Sequence, residues 1–165
     1  MAETPCEMNE DKREPDTALG LLFTPPVVTL ASRLAMVTQK KVLAPHNLKM
    51  MEWRAIYHLV QSHDLHLREL ARRVSTDASH ASRVVANLEE RGLVQRFDDT
   101  EDARRTRFSV TEEGRALFDK IWPLANAISD EFNALFTVAE RRRFEAMLIK
   151  ATNHANQLLG WQDHD

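Results

Sequence analysis

The chain has 165 residues, 43% hydrophobic and 28% charged, the size and composition of a globular domain that can build a core without staples. Its four glycines, Gly20, Gly92, Gly114 and Gly160, stand far apart, which excludes the clustered glycines that let a P-loop or a dinucleotide-binding turn approach phosphate. One cysteine, Cys6, excludes a disulfide framework within the chain and a zinc site of several thiolates, and the formal net charge of −3 does not advertise a polyanionic partner.

Charge distribution says more than its sum. Residues 1–19 carry two cations and six anions, whereas residues 68–107 carry nine cations and eight anions. All nine of those cations are arginine, the fork-shaped donor that suits phosphates and base edges. No run reaches the ~18–20 apolar residues of a membrane span. The acidic N-terminus lacks the basic start and apolar run of a signal peptide. A soluble cytoplasmic protein with no membrane partner is the expectation.

In chain order, residues 1–18 have no apolar period and contain Pro5 and Pro15, and they read as a disordered acidic tail. Thr24-Pro25-Pro26 is a helix-start signal. Val27, Leu30, Leu34 and Val37 then follow a helical stripe, expected to stop near Leu43 before Pro45 and Asn47. A second helix is predicted over 49–62, where Trp53, Ile56, Tyr57 and Val60 share a face. A third follows over 67–74. Ser75-Thr76-Asp77 is a turn and capping cluster, and a fourth helix runs from Asp77 to Arg91. Its inward stripe is Ala81, Val84, Val85 and Leu88, and Gly92 stands at its left-handed stop.

Leu93–Phe97 and Arg107–Val110 are β-prone runs around a charged tip, a two-stranded hairpin. Thr111 opens a long helix with an apolar period as far as Leu135, interrupted by Pro123, which should kink it. Thr137-Val138-Ala139-Glu140 is a capping box that starts a last helix, carried to Gly160.

Two short helices joined by a polar turn and followed by a hairpin predict a winged helix-turn-helix. The expected fold is mainly α with a small β-hairpin, its N- and C-terminal helices forming a dimer interface. Residues 49–111 would be the DNA-binding lobe, and 19–48 with 112–160 the helical dimerisation region.

Leu70-Ala71-Arg72-Arg73-Val74 and the run Ser82 to Val94 (SRVVANLEERGLV) resemble the MarR family of bacterial transcriptional regulators. So do Asp102-Ala103-Arg104-Arg105-Thr106-Arg107, which fits a D-x-R-x-x-R wing pattern, and Val110-Thr111-Glu112-Glu113-Gly114. The resemblance covers roughly residues 25–158 and is specific over 70–114. It implies a homodimer, a winged helix-turn-helix on each lobe, and regulation by a small molecule or an oxidant. Two departures concern capping: Lys49 stands where the second helix of such proteins often has a hydroxyl cap, with Asn47 as a substitute, and His66 precedes the third helix.

The fourth helix turns Ser79, Arg83 and Asn87 away from its apolar stripe, with His80 and Ser82 on the flanks. These types reach base edges or phosphates in a major groove, and Arg83 is the strongest candidate for a bidentate contact to guanine. The bland alternative is a solvated helix face. Arg104 and Arg107 are candidates for minor-groove or phosphate contacts at the wing, with Asp102 bracing an arginine. Ser75 and Thr76 are either phosphate donors or plain caps.

In resembling proteins ligands bind between the dimer helices and the DNA-binding lobe. The matching candidates here are Arg33, a cation near the apolar side of the first helix, and Trp53, Tyr57 and His58. An aromatic carboxylate would suit them. Otherwise Trp53 is core and Arg33 is solvated.

The spacing of His58, His63 and His66 does not put them on one helical face, and no metal or other cofactor is expected. Cys6 lies among acids that disfavour a reactive thiolate. No nucleophile–base pair or cofactor loop suggests an enzyme. The reading is a sequence-specific DNA-binding regulator, a repressor, that binds an inverted repeat of double-stranded DNA as a homodimer and is released by a small effector. The rivals are a winged-helix protein-interaction module without DNA binding, and a metal- or redox-responsive regulator.

Overall fold

The computed structural model describes residues 24–99 and 105–161. The chain divides into two compact units, Met1–Val37 and Thr38–Asp165. The first is described by α1, Thr24–Thr38, which holds Pro25 and Pro26 in its opening turn, where a missing N–H costs no helical bond. Val28, Leu30 and Met36 are exposed along it.

The expected continuation of α1 to Leu43 is corrected. The α-helix ends at Thr38, and Gln39–Leu43 forms a wider π-type turn closed by the Ala44 N–H on the Gln39 carbonyl. Both Val42 and Leu43 are buried there. A 3-10 turn, Ala44–His46, follows, and Asn47 takes a left-handed φ of 52°. Asn47 is therefore a helix stop and does not cap the next helix.

The remaining elements of the second unit are α2 (Met50–Ser62), β1 (Asp64–His66), α3 (Leu67–Arg73), α4 (Ala78–Glu90), β2 (Val94–Asp98), β3 (Thr106–Val110), α5 (Glu112–Asn133) and α6 (Val138–Leu158). The start of α2 is capped from inside: Glu52 accepts the Lys49 N–H at 2.9 Å. Asp77 accepts the His80 N–H at the head of α4, and Thr111 and Thr137 do the same for α5 and α6. Each cap satisfies an amide that the first helical turn leaves orphaned. Gly92 ends α4 at φ 69°, the left-handed stop that the sequence predicts. α5 continues through Pro123 to Asn133.

The hairpin is correct but incomplete. Asp64–His66 forms a further short strand. It pairs antiparallel with β3, giving a three-stranded sheet in the order β1-β3-β2. Leu65 faces Phe108 across that ladder, and both are buried. The strand is too short to show an alternating pattern, so tertiary pairing decides it.

Leu43, Leu48, Ile56, Leu59, Leu70, Val85, Leu88 and Ile121 are the largest fully buried side chains. They draw α2, α3, α4 and the start of α5 onto one core. The wing joins α5 at a close approach: Gly114 is buried with the Leu93 carbonyl directly against the place a Cβ would occupy. Only glycine lets strand and helix backbones meet so closely. α6 has no buried side chain. Among the described residues, no helix is long and apolar enough to cross a membrane.

Candidate nucleic-acid interface

The helix-turn-helix is α3, a tight turn, and α4. At the turn the Ser75 N–H donates to Arg72 O at 3.0 Å and the Thr76 N–H to Ala71 O at 2.9 Å. Ser75 itself adopts φ 58°. These two bonds take up the last carbonyls of α3 and leave the Ser75 hydroxyl on an exposed residue, with Thr76 half-buried. Asp77 then caps α4, and the His80 amide bond at 2.8 Å holds its carboxyl below the usual carboxylate range.

Along α4, Ala81, Val85 and Leu88 are buried and Val84 is half-buried. Ser79, Ser82, Arg83 and Asn87 are exposed, and His80 is half-buried at the edge. The side chains of Ser79, Ser82, Arg83 and Asn87 make no hydrogen bond or ion pair with another described residue. A row of exposed hydroxyl, guanidinium and amide groups thus stands on a rigidly capped helix.

The far end of α4 is anchored from two sides. Glu52, 4% exposed, accepts from Arg91 Nη1 at 3.1 Å while also capping α2. Glu89 takes both Arg96 Nε and Nη2, at 3.1 and 2.9 Å, and Arg96 lies over the Phe108 ring, 5.7 Å from its centroid. A bidentate pair is geometrically more restrictive than a single contact. It holds the Arg96 guanidinium above its ordinary pKa, through its hydrogen bonds to Glu89 and that group's charge.

At the wing, Asp102 and Arg104 lie outside the described residues. Arg107 is placed on β3 and turned to the base of the wing. Its Nε donates to Asp99 Oδ2 at 2.6 Å and its Nη1 bonds Asp64 Oδ1. The Asp99 hydrogen bond is the main reason its pKa is raised. Among the described residues, Asp99 and Asp64 brace Arg107. Asp64, His66 and Asp99 went unrecognised in the sequence, because the strand that aligns them is only three residues long.

The four ligand candidates divide between the two units. Arg33 is exposed on α1, in the first unit. In the second unit Trp53 is 7% exposed and stacks on Phe118 at 5.3 Å. Tyr57 stacks on Trp122 at 5.7 Å and meets His58 edge-on at 5.2 Å. Phe118 and Trp122 stack at 5.4 Å and complete an aromatic cluster between α2 and α5. Their i, i+4 spacing on α5 was the available signal for Trp122. Burial, then the charges of Arg73 and Arg54, push the His58 imidazole below its ordinary value. Among the described residues no three His, Cys, Asp or Glu groups converge as a metal site, and His66 is turned to Asp99.

Residues 48–106 match the model of the MarR family. The homoprotocatechuate degradative operon repressor of Escherichia coli is 25% identical over 118 residues, 72% of this chain and 80% of that protein. Among solved structures, AbsC of Streptomyces coelicolor, a MarR family transcriptional regulator, superposes with a TM-score of 0.74 at 21% identity, over 80% of this chain and 90% of that one. BpsR of Bordetella bronchiseptica, whose DNA binding is regulated by 6-hydroxynicotinic acid, gives a TM-score of 0.69 at 20% identity, over 77% of this chain and 96% of that one. The winged helix-turn-helix and the matched segment agree: residues 48–106 of this chain carry a MarR family domain.

Proposed function

We propose that the protein is a sequence-specific DNA-binding repressor, acting in the cytoplasm, that reads an inverted-repeat operator as a homodimer and is released by a small anionic aromatic ligand. The observation that carries this reading is the uncommitted polar row of α4, Ser79, Ser82, Arg83 and Asn87, on a helix fixed at both ends. Arg83 is the residue assigned to base readout, with Ser75 and Thr76 donating to phosphate and the wing, including Arg104, lying against the adjacent groove.

The homodimer is supported by α6, where Phe144, Met147, Leu148 and Leu158 are exposed, more apolar surface than a solitary helix leaves in water. Residues 19–48 and 112–160 are assigned to that interface. The ligand is supported by the Tyr57–Trp122 stack with His58 at its edge. The relative BpsR and its hydroxylated aromatic acid suggest the chemical class, and Arg33→Ala belongs among the variants tested for ligand response.

The test is selection of duplexes from a random pool by the full chain at a fixed moderate salt concentration, since phosphate contacts make affinity salt-dependent. Enrichment of an inverted repeat with half-site centres about 34–36 Å apart, or a multiple of it, supports the reading. A folded dimer that enriches nothing, with or without aromatic acids, overturns it in favour of a protein-interaction module.

A further inference from the structure

Four side chains meet where the two wing strands leave the sheet. Asp99, just past β2, is 8% exposed. Its Oδ2 accepts from Arg107 Nε at 2.6 Å and lies 3.1 Å from His66 Nε2. The other imidazole nitrogen, Nδ1, is 3.2 Å from the Thr106 carbonyl oxygen. His66 closes β1 and also precedes the first turn of α3. Its ring thus joins the first helix of the helix-turn-helix to the outer ends of both wing strands.

Each ring nitrogen faces an oxygen acceptor. A neutral imidazole carries one N–H and presents a lone pair at the other nitrogen. It can satisfy Asp99 or Thr106, but not both. The imidazolium donates to both. The carboxylates of Asp64 and Asp99 also hold the Arg107 guanidinium beside the ring. Of the other charged groups around it, Asp98 is exposed opposite Thr106 on β2, and Arg105 is exposed before β3. On α3, Arg68 is exposed and Glu69 is committed to Arg73 at 2.7 Å.

We propose that His66 is a positioning residue for the wing, and that its protonation latches the strand ends through Asp99 and Thr106 and so couples DNA affinity to pH. The inference rests on the DNA-binding reading above. The protonated ring holds both contacts. Raising the pH through the imidazole range removes one of them, loosens the wing base and weakens DNA binding.

The experiment is fluorescence anisotropy of the full chain on its selected duplex, at constant salt, from pH about 5.5 to about 8. The wild type is expected to weaken by about three- to tenfold across that range beyond the change shown by His66→Gln. Asp99→Asn should flatten that dependence, and it serves as the second variant where His66→Gln does not fold. A His66→Gln or Asp99→Asn protein that titrates like the wild type overturns the latch, as does a pH-independent wild type.

Nuclear magnetic resonance separates this from failure of the DNA reading. If the wild type binds no duplex at any pH, that reading falls. The latch is then judged by whether the Asp99 and Arg107 amide resonances follow the His66 ring titration. Amides that follow it support the latch; amides that stay flat refute it.

Discussion

Replacing Gly114 by alanine sets two opposed effects against each other. Alanine is the better helix former, by about 1 kcal/mol. A Cβ at this position, however, falls inside contact distance of the Leu93 carbonyl oxygen, 3.0 Å from its carbonyl carbon and 3.3 Å from its Cα. Comfortable carbon–carbon contact needs about 3.5–4.0 Å. The obstacle is backbone, so no rotamer change relieves it. Leu93 is also held in place, its N–H on Leu88 O at 2.9 Å and its carbonyl accepting from Thr111 N at 3.2 Å.

Overpacking of this kind costs about 3 kcal/mol, and displacing Leu93 sacrifices a hydrogen bond worth about 1 kcal/mol. After the helix-propensity gain of about 1 kcal/mol, the variant should be destabilised by about 3 kcal/mol. For a chain of this size that lowers the midpoint of thermal unfolding by about 6–12 °C. The assay is denaturant and thermal unfolding of both proteins at one protein concentration, because any self-association makes the midpoint concentration-dependent. A Gly114→Ala protein as stable as the wild type, or more stable, would show that strand and helix are not in backbone contact, and the account of how the wing is fixed to α5 would fall.

Arg83→Ala should weaken duplex binding by about 1–3 kcal/mol and relax sequence preference at one position in each half-site, while the unfolding midpoint, set by residues Arg83 does not touch, stays put; an unchanged affinity would remove Arg83 from the readout. Glu52→Ala strips the cap from α2 and a partner from Arg91, and should cost about 2–4 kcal/mol of folding stability, with Glu52→Gln recovering part because its amide oxygen still accepts the Lys49 N–H. His58 is held below its ordinary 6.5 in the folded chain, so below that value the unfolded chain binds more protons. Stability should therefore fall as pH drops through and below about 6.5 and level off beneath the folded value. Urea midpoints at neutral and mildly acid pH should show that loss in the wild type and a smaller one in His58→Gln. Finally, Phe144→Asp on the exposed apolar stripe of α6 should shift the sedimentation coefficient toward the monomer, and an unaltered dimer would place the interface elsewhere.

The helix-turn-helix is legible in the sequence because its signals are local. Ser75-Thr76-Asp77 announces a turn and a cap, Ala81, Val85 and Leu88 keep a helical period, and Gly92 supplies the positive φ that ends α4. Thr111 and the Thr137–Glu140 box place the starts of α5 and α6 in the same way. Each is a choice made by the chain within one or two turns of itself, and propensity, capping and period all vote together there.

What only the tertiary structure decided is long-range. β1 spans three residues, and Leu65 becomes strand because Phe108, far along the chain, offers it a ladder. The ring of His66 finds Asp99, Arg107 finds Asp64, and Glu52 finds Arg91 across 39 positions. Charged side chains carry no period that names a distant partner, and a lone aspartate in a sequence looks the same whether it faces solvent or a buried guanidinium. The aromatic candidates show the same limit: Trp53 and Tyr57 were visible as large side chains on α2, but Phe118 and Trp122, which complete their stack, were supplied by the packing of α5. The sequence by itself determined the helix-turn-helix, the Asp77, Thr111 and Thr137 caps and the resemblance to a family. Tertiary packing decided which charges pair, because pairing depends on distances that no local rule encodes.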